Sequence, residues 1–218
     1  MPAPLDLVPL LLEGAVITIE VMAASAALAL IISFIAGLSR LSKWAWVRWA
    51  TNVYVEVFRG SSLLVQMFWF FYVPPILFEV NSMPPFLAAL LAIGLNYGAY
   101  GSEIVRSSIL SVPKGQTEAS VALNFTPFQR LRLVILPQAF MMMLPSFGNL
   151  LIELLKSTSL VSLITLADLT FQANVLNNTT WRTAEIFTLL LVMYFAIAYP
   201  MLLLVRWYER RATAGRWR

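Results

Sequence analysis
The sequence predicts an all-α membrane protein of five transmembrane helices, with the N-terminus outside and the C-terminus cytoplasmic. Three observations predict it. Of 218 residues, 60% are hydrophobic and only 12% charged, with a mean hydropathy of +0.78. The apolar residues come in charge-free runs of membrane length, which a soluble core does not need. The basic residues gather on one side of those runs.

The first span is read over residues 12–38, where Val21 to Ser39 carries no charge and the apolar pattern reaches back past Glu20 to about Leu12. The second covers 58–77, built on the charge-free run from Gly60 to Phe78. The third covers 84–106, entered at Met83-Pro84-Pro85. The fourth covers 132–155 and the fifth 184–206, on the runs Leu133 to Ile152 and Ile186 to Val205. Each approaches the ~20 residues that cross a hydrocarbon core. A further apolar piece, Ser157 to Ala167, is too short to span and reads as re-entrant or interfacial.

Charge placement sets the topology. Arg40, Lys43, Arg48 and Arg59 follow the first span, and Arg106, Lys114, Arg130 and Arg132 follow the third. Arg206, Arg210, Arg211, Arg216 and Arg218 follow the fifth, whereas the opposite side, with Lys156 set aside, offers only Arg182. That bias orients a membrane protein, so the net charge of +4 does not point to nucleic acid. Met1 to Leu10 has no basic n-region, so no cleaved signal peptide is expected, and Asp6 and Glu13 suit an external interface. The chain reads as one transmembrane domain over residues 1–218. Without His or Cys, disulfides, thiol nucleophiles, imidazole chemistry and zinc sites are excluded, and neither a metal nor a cofactor is expected. No GxxxxGK[ST] loop occurs, so any nucleotide that drives transport is hydrolysed by another chain.

The loop at 107–131 holds a short helix. Pro113-Lys114-Gly115 signals a turn, and Gln116 to Leu123 allows two helical turns with Glu118 in the first, where the helix dipole favours an anion. Asn124 suits the left-handed residue that ends a helix. Thr126-Pro127 reads as cap and first residue of the next helix. The physics alone fits an ordinary interfacial helix as well as one presented to a partner.

These residues carry a resemblance. Pro113-Lys114-Gly115-Gln116-x-Glu118-Ala119, then Asn124, then Ile135-Leu136-Pro137-Gln138-Ala139, resembles the EAA loop of permease subunits of bacterial ABC importers, and more narrowly the polar amino-acid permeases. Glu56-Val57-Phe58-Arg59-Gly60-Ser61-Ser62-Leu63-Leu64-Val65-Gln66, Ala99-Tyr100-Gly101-Ser102-Glu103-Ile104-Val105-Arg106 and Leu154-Leu155-Lys156-Ser157-Thr158-Ser159-Leu160 are similar to further motifs of that family. The likeness covers roughly Leu10 to Arg210. The chain departs from the pattern at Ser120 and Asn124, where the family has Ala and Gly. Met141-Met142-Met143-Leu144-Pro145 and Asp168-Leu169-Thr170-Phe171-Gln172 also resemble permeases of ectoine and hydroxyectoine importers. The resemblance implies the type I importer fold in the bacterial inner membrane. It implies a second permease subunit as a homo- or heterodimeric partner, cytoplasmic ATPase subunits and an extracytoplasmic solute-binding protein. It implies that Gly115, Gln116, Glu118, Ala119, Ser120, Leu123 and Asn124 couple the chain to an ATPase.

Ionisable groups at membrane depth are costly and mark function or pairing. Glu153 and Lys156 share a helical face, so they either pair with each other or, with Asn149, line a path for a zwitterionic solute. Pro145 and Gly148 precede them and can loosen the helix. Gln66 and Asn96 are further path candidates, with Glu20 and Glu103 considered beside them. Glu103 with Arg106 and Glu56 with Arg59 read as structural i,i+3 pairs. Trp69, Phe70, Phe71 and Tyr72 read as lipid- or subunit-facing bulk rather than a cation cage. The function is thus expected to be an ATP-driven importer's permease for a small polar or zwitterionic solute, an amino acid or an ectoine-like compound. A self-sufficient secondary transporter is the alternative, disfavoured by five spans without an inverted repeat. A membrane enzyme lacks the residues it would need.

Overall fold
The computed structural model describes residues 7–79 and 82–214. Its helices are α1 (Val8–Ser39), α2 (Ala45–Gly60), α3 (Leu63–Leu77), α4 (Pro85–Leu110), α5 (Lys114–Ala122) and α6 (Pro127–Gln129). A π-helical segment (Arg130–Ile135) leads into α7 (Leu136–Ser157), and a 3-10 segment (Thr158–Ile164) precedes α8 (Leu169–Thr180) and α9 (Thr183–Ala214). Asp6, Arg216 and Arg218, used in the topology argument, lie outside the described residues.

The centre of the bundle is α4, packed most extensively on α1. Small residues allow this closeness. A Cβ added at Gly94 would lie 2.5 Å from Leu28 Cδ2, and one at Gly98 2.7 Å from Ile32 Cγ2. Gly94 and Gly98 are four apart, the spacing that lets two membrane helices approach backbone to backbone. Ser33 donates to Ala29 O at 2.6 Å and reaches Gly98 O at 3.3 Å, so its hydroxyl is satisfied in an apolar setting. Pro85 opens α4 at its first turn, where its missing N–H costs nothing.

Among the described residues, three helices are long and apolar enough to cross a membrane alone: Val8–Ser39, the run Pro127–Ile164, and Thr183–Tyr208. A fourth arises if α2 and α3 form one bent span. At 26 residues, α4 is about 39 Å long, yet it carries Asn96, Ser102, Glu103 and Arg106. Protein surrounds much of it, with Ala88, Ala92, Ala99 and Val105 fully buried.

The second span, expected over 58–77, falls on two helices. The chain breaks at Ser61 and Ser62, and α2 and α3 meet at 104°. Residues 45–57, expected as a basic connection, are helical. The physical cause lies in Gly60-Ser61-Ser62, three residues that gain little from continuing a helix.

The Ser157 to Ala167 piece continues from α7 as the 3-10 segment. Its 3-10 turn rises only about 14 Å and buries Val161 and Ile164 in the core with Val21, Met67 and Ile93. Asp168 then caps α8, accepting from Phe171 N at 2.9 Å and Thr170 N at 3.2 Å. Leu169 N donates to Thr18 Oγ1 at 3.1 Å, tying α8 to α1. Burial pushes the Asp168 carboxyl up to about 6, against the two backbone N–H bonds that lower it.

A polar cavity at a broken helix and an exposed loop helix
The break between α2 and α3 opens the last carbonyls of α2 at the middle of α4, and side chains satisfy them. Phe58 O accepts from Gln66 Nε2 at 2.9 Å and from Asn96 Nδ2 at 2.8 Å. Asn96 Nδ2 also donates to Gln66 Oε1 at 3.1 Å, and Gln66 Nε2 to Ser61 Oγ at 2.7 Å. Ser61 Oγ in turn donates to Val57 O at 2.6 Å. The two amides thus clamp the broken end of α2 to α3 and α4. At the other side of the break, Ser62 begins α3 in an extended conformation without a side-chain cap. The first-turn N–H groups of α3 therefore keep their partial positive charge.

A cavity of about 450 Å³ adjoins this break, lined by Ser61, Ser62, Leu63, Asn96, Tyr97, Tyr100, Glu153, Ser157 and Leu160. Tyr97 and Ser157 share a short hydrogen bond across it. The Glu153 carboxylate meets neither a cation nor a hydrogen-bond donor among the described residues.

The five path candidates therefore separate. Asn96 and Glu153 line the cavity, and Gln66 sits against it, bonded to Asn96. Asn149 and Lys156 lie on the same exposed stripe of α7 as Glu153 but do not line the cavity. The Glu153–Lys156 pair is corrected: no ion pair joins them among the described residues. The Glu56–Arg59 pair is also corrected, because the Arg59 guanidinium stacks over the Tyr100 ring, 5.1 Å from its centroid. Nor does Gly148 loosen α7. The helix runs unbroken through Pro145, and Gly148 makes room for Val205 of α9. The Glu103–Arg106 pair forms at 2.6 Å, and Glu103 also pairs with Arg40, whose Nε donates to Asn52 Oδ1 at 2.7 Å. Sequence reasoning missed Ser61, Ser62, Tyr97, Tyr100 and Ser157 as cavity residues. The signal available was a Gly-Ser-Ser interruption inside an apolar run.

On the loop after α4, the short helix starts at Lys114, two residues earlier than expected. Glu118 consequently stands in the second turn, away from the positive end of the helix. Asn124 adopts the left-handed conformation at φ 58°. Phe125 N bonds Ser120 O at 3.0 Å and Asn124 N bonds Val121 O at 2.9 Å, the paired bonds of a Schellman helix end. Thr126 and Gln129 then form a capping box around Pro127. The π turn that follows relieves the clash Pro137 would make with the carbonyl four residues before it. Gly115, Gln116, Glu118, Ala119, Leu123 and Asn124 are exposed. Ser120 is instead buried, its hydroxyl donating to Thr117 O at 2.7 Å. Val121, Leu123 and Phe128 are exposed apolar side chains of this loop, with Leu123 one turn after Ala119 on the same face of the helix. Gln138 Nε2 reaches Gln116 Oε1 at 3.3 Å, linking this loop to α7.

An all-helical membrane bundle with a broken helix beside a polar cavity, and a small exposed helix on one loop, defines a permease. The chain belongs to the family of binding-protein-dependent transport system inner membrane components, whose model matches residues 29–214. It is 45% identical over 210 residues to a probable amino-acid ABC transporter permease of Sinorhizobium fredii, covering 94% of this chain and 87% of that one. It is 46% identical over 171 residues to the L-cystine transport system permease of Bacillus subtilis, covering 76% and 72%. The glutamine transport system permease of Escherichia coli K12 is 36% identical over 208 residues, covering 94% and 93%. A crystal structure of an amino acid ABC transporter with histidines superposes with TM-score 0.88 at 32% identity, over 95% of this chain and 96% of that one. The chain is thus an inner-membrane ABC importer permease and not itself an enzyme.

Proposed function
We propose that this permease carries a polar, zwitterionic amino acid, delivered by an extracytoplasmic binding protein, and pairs with a second permease subunit above two ATPase subunits. The single observation that carries the solute class is Glu153. A carboxylate without a cation, lining the same cavity as the uncapped start of α3, complements a molecule with an ammonium at one end and a carboxylate at the other. The tyrosines and Ser157 supply hydroxyls between those ends. Names of the relatives support an amino acid, since they concern cystine, glutamine and amino acids generally. Ectoine has the same two charges and belongs in any solute panel.

In this reading five spans cross the membrane, the bent α2–α3 pair counting as one and the protein-covered α4 as another. The C-terminal end and the α5 loop face the cytoplasm, as the basic residues require. The exposed face of α5 that carries Ala119 and Leu123 docks on an ATPase subunit, and buried Ser120 anchors the opposite side. Asn149 and Lys156 extend the polar stripe of α7 beyond the cavity toward the partner permease. The test is ATPase activity of the reconstituted importer across a panel of amino acids and ectoine. Stimulation by zwitterions alone supports the solute class, and equal stimulation by uncharged or purely anionic compounds contradicts it.

A further inference from the structure
We propose that Trp44, Trp46 and Trp49, with Lys43 and Arg48, form a binding surface for an anionic phospholipid. The three indoles are 67%, 67% and 70% exposed. Trp46, Trp49, Val53 and Val57 recur at i, i+3, i+7 and i+11, which is one side of a helix, and all four are exposed. The opposite side of α2 is committed: Val55 is buried, and Tyr54 donates to Leu95 O of α4 at 2.6 Å. Along the exposed stripe, valines lie toward the break and tryptophans toward the start of α2. That is the order of acyl chain and headgroup, because indole is apolar but its N–H seeks an acceptor. Leu41 packs with Val105, Ile109 and Val112, so the turn before α2 lies level with the C-terminal end of α4. The tryptophans therefore stand at a membrane boundary.

Among the described residues, no carboxylate pairs with Lys43 or Arg48. From Leu41 to Val55 the chain has Lys43 and Arg48 and no acidic residue. The neighbouring Arg40 is taken by Glu103 and Asn52. Arg48 donates to Ser42 O at 2.8 Å and Lys43 O at 2.9 Å, neutral acceptors that fix the guanidinium and leave its charge intact. Lys43 and Arg48 stand with Trp44 at the start of α2, the headgroup end of the aliphatic stripe, and so fit a phosphodiester headgroup whose acyl chains follow the valines. An acidic protein partner would match the cations but not the valines.

The test uses the full chain in nanodiscs doped with dibrominated phosphatidylglycerol or dibrominated phosphatidylcholine, whose bromines quench indole fluorescence on contact. Phosphatidylglycerol is expected to reach half-maximal quenching at up to roughly thirtyfold lower mole fraction, from two cations at ~1 kcal/mol each. Lys43→Gln with Arg48→Gln brings the two lipids together. Lys43→Gln alone removes part of the difference, and Arg48→Lys, which keeps the charge, retains it. Trp44→Phe with Trp46→Phe and Trp49→Phe abolishes the preferential component, whereas Arg206→Gln does not. Equal quenching by both lipids in the unchanged protein overturns the proposal, as does a preference that survives Lys43→Gln with Arg48→Gln. Loss of the preferential quenching when the ATPase subunits are added would also overturn it, since a protein would then cover the surface.

Discussion

Replacing Asn96 or Gln66 by Leu tests whether the two amides act as one clamp on the broken helix. Both are buried, at 4% and 8% exposure. Asn96→Leu leaves Gln66 Oε1 without its donor, while Phe58 O keeps the bond from Gln66. Gln66→Leu frees one Asn96 N–H, while Phe58 O keeps the bond from Asn96. Each single change thus orphans one buried polar group, at about 1–3 kcal/mol. The double change orphans only Phe58 O, because the two amides disappear together. It is therefore expected to cost about as much as either single change, with a coupling energy of roughly 1–3 kcal/mol. The assay is reversible unfolding of the four variants in mixed micelles. Additive losses would refute the shared clamp and make each amide an independent contact.

Three further outcomes are expected. Ala119→Trp places a bulky ring on the exposed face of α5, so the permease should insert normally but retain ATPase subunits at least tenfold less in a pull-down; unchanged retention would remove α5 from the interface. Single cysteines at Ser42 and Gly115 should resist an impermeant thiol reagent added outside intact cells, and one at exposed Asn178 should react; labelling at Gly115 would reverse the orientation. The Asp168 carboxyl, raised from 3.8 to about 6, prefers its proton in the folded state, so its contribution is present below its ordinary range and is lost as pH rises through about 6. Against Asp168→Asn, which keeps a capping oxygen, the unchanged protein should lose up to about 3 kcal/mol between pH 4 and 7, and parallel stability curves would contradict this.

Features set by hydropathy and local turn chemistry are legible in the sequence. Membrane-length runs, the left-handed Asn124, the Thr126 cap and the Glu103–Arg106 pair are among them, because each depends on residues close together along the chain. The broken α2–α3 helix is not, since a window of apolar residues looks the same whether the helix bends or not. Yet Gly60-Ser61-Ser62 holds the signal. The cavity is half legible. Glu153 stands out as a charge in an apolar run, but its company of Ser61, Tyr97 and Tyr100 comes from helices distant in sequence. The Glu153–Lys156 and Glu56–Arg59 pairs illustrate the opposite error. Spacing permits an i,i+3 ion pair, but Arg59 has the Tyr100 ring as an alternative that only the tertiary fold supplies.

The most direct measurement is uptake of a zwitterionic amino acid into proteoliposomes holding the complete importer, with the permease unchanged or carrying Glu153→Gln, Lys156→Gln, or both. Uptake should require ATP. Glu153→Gln should reduce apparent solute affinity ten- to a hundredfold, the loss of one charged contact at about 1.5–3 kcal/mol, with ATPase association intact. Because Glu153 is not paired with Lys156, the double variant should be no better than Glu153→Gln alone. Full rescue in the double variant, or uptake that proceeds without ATP, would contradict the account.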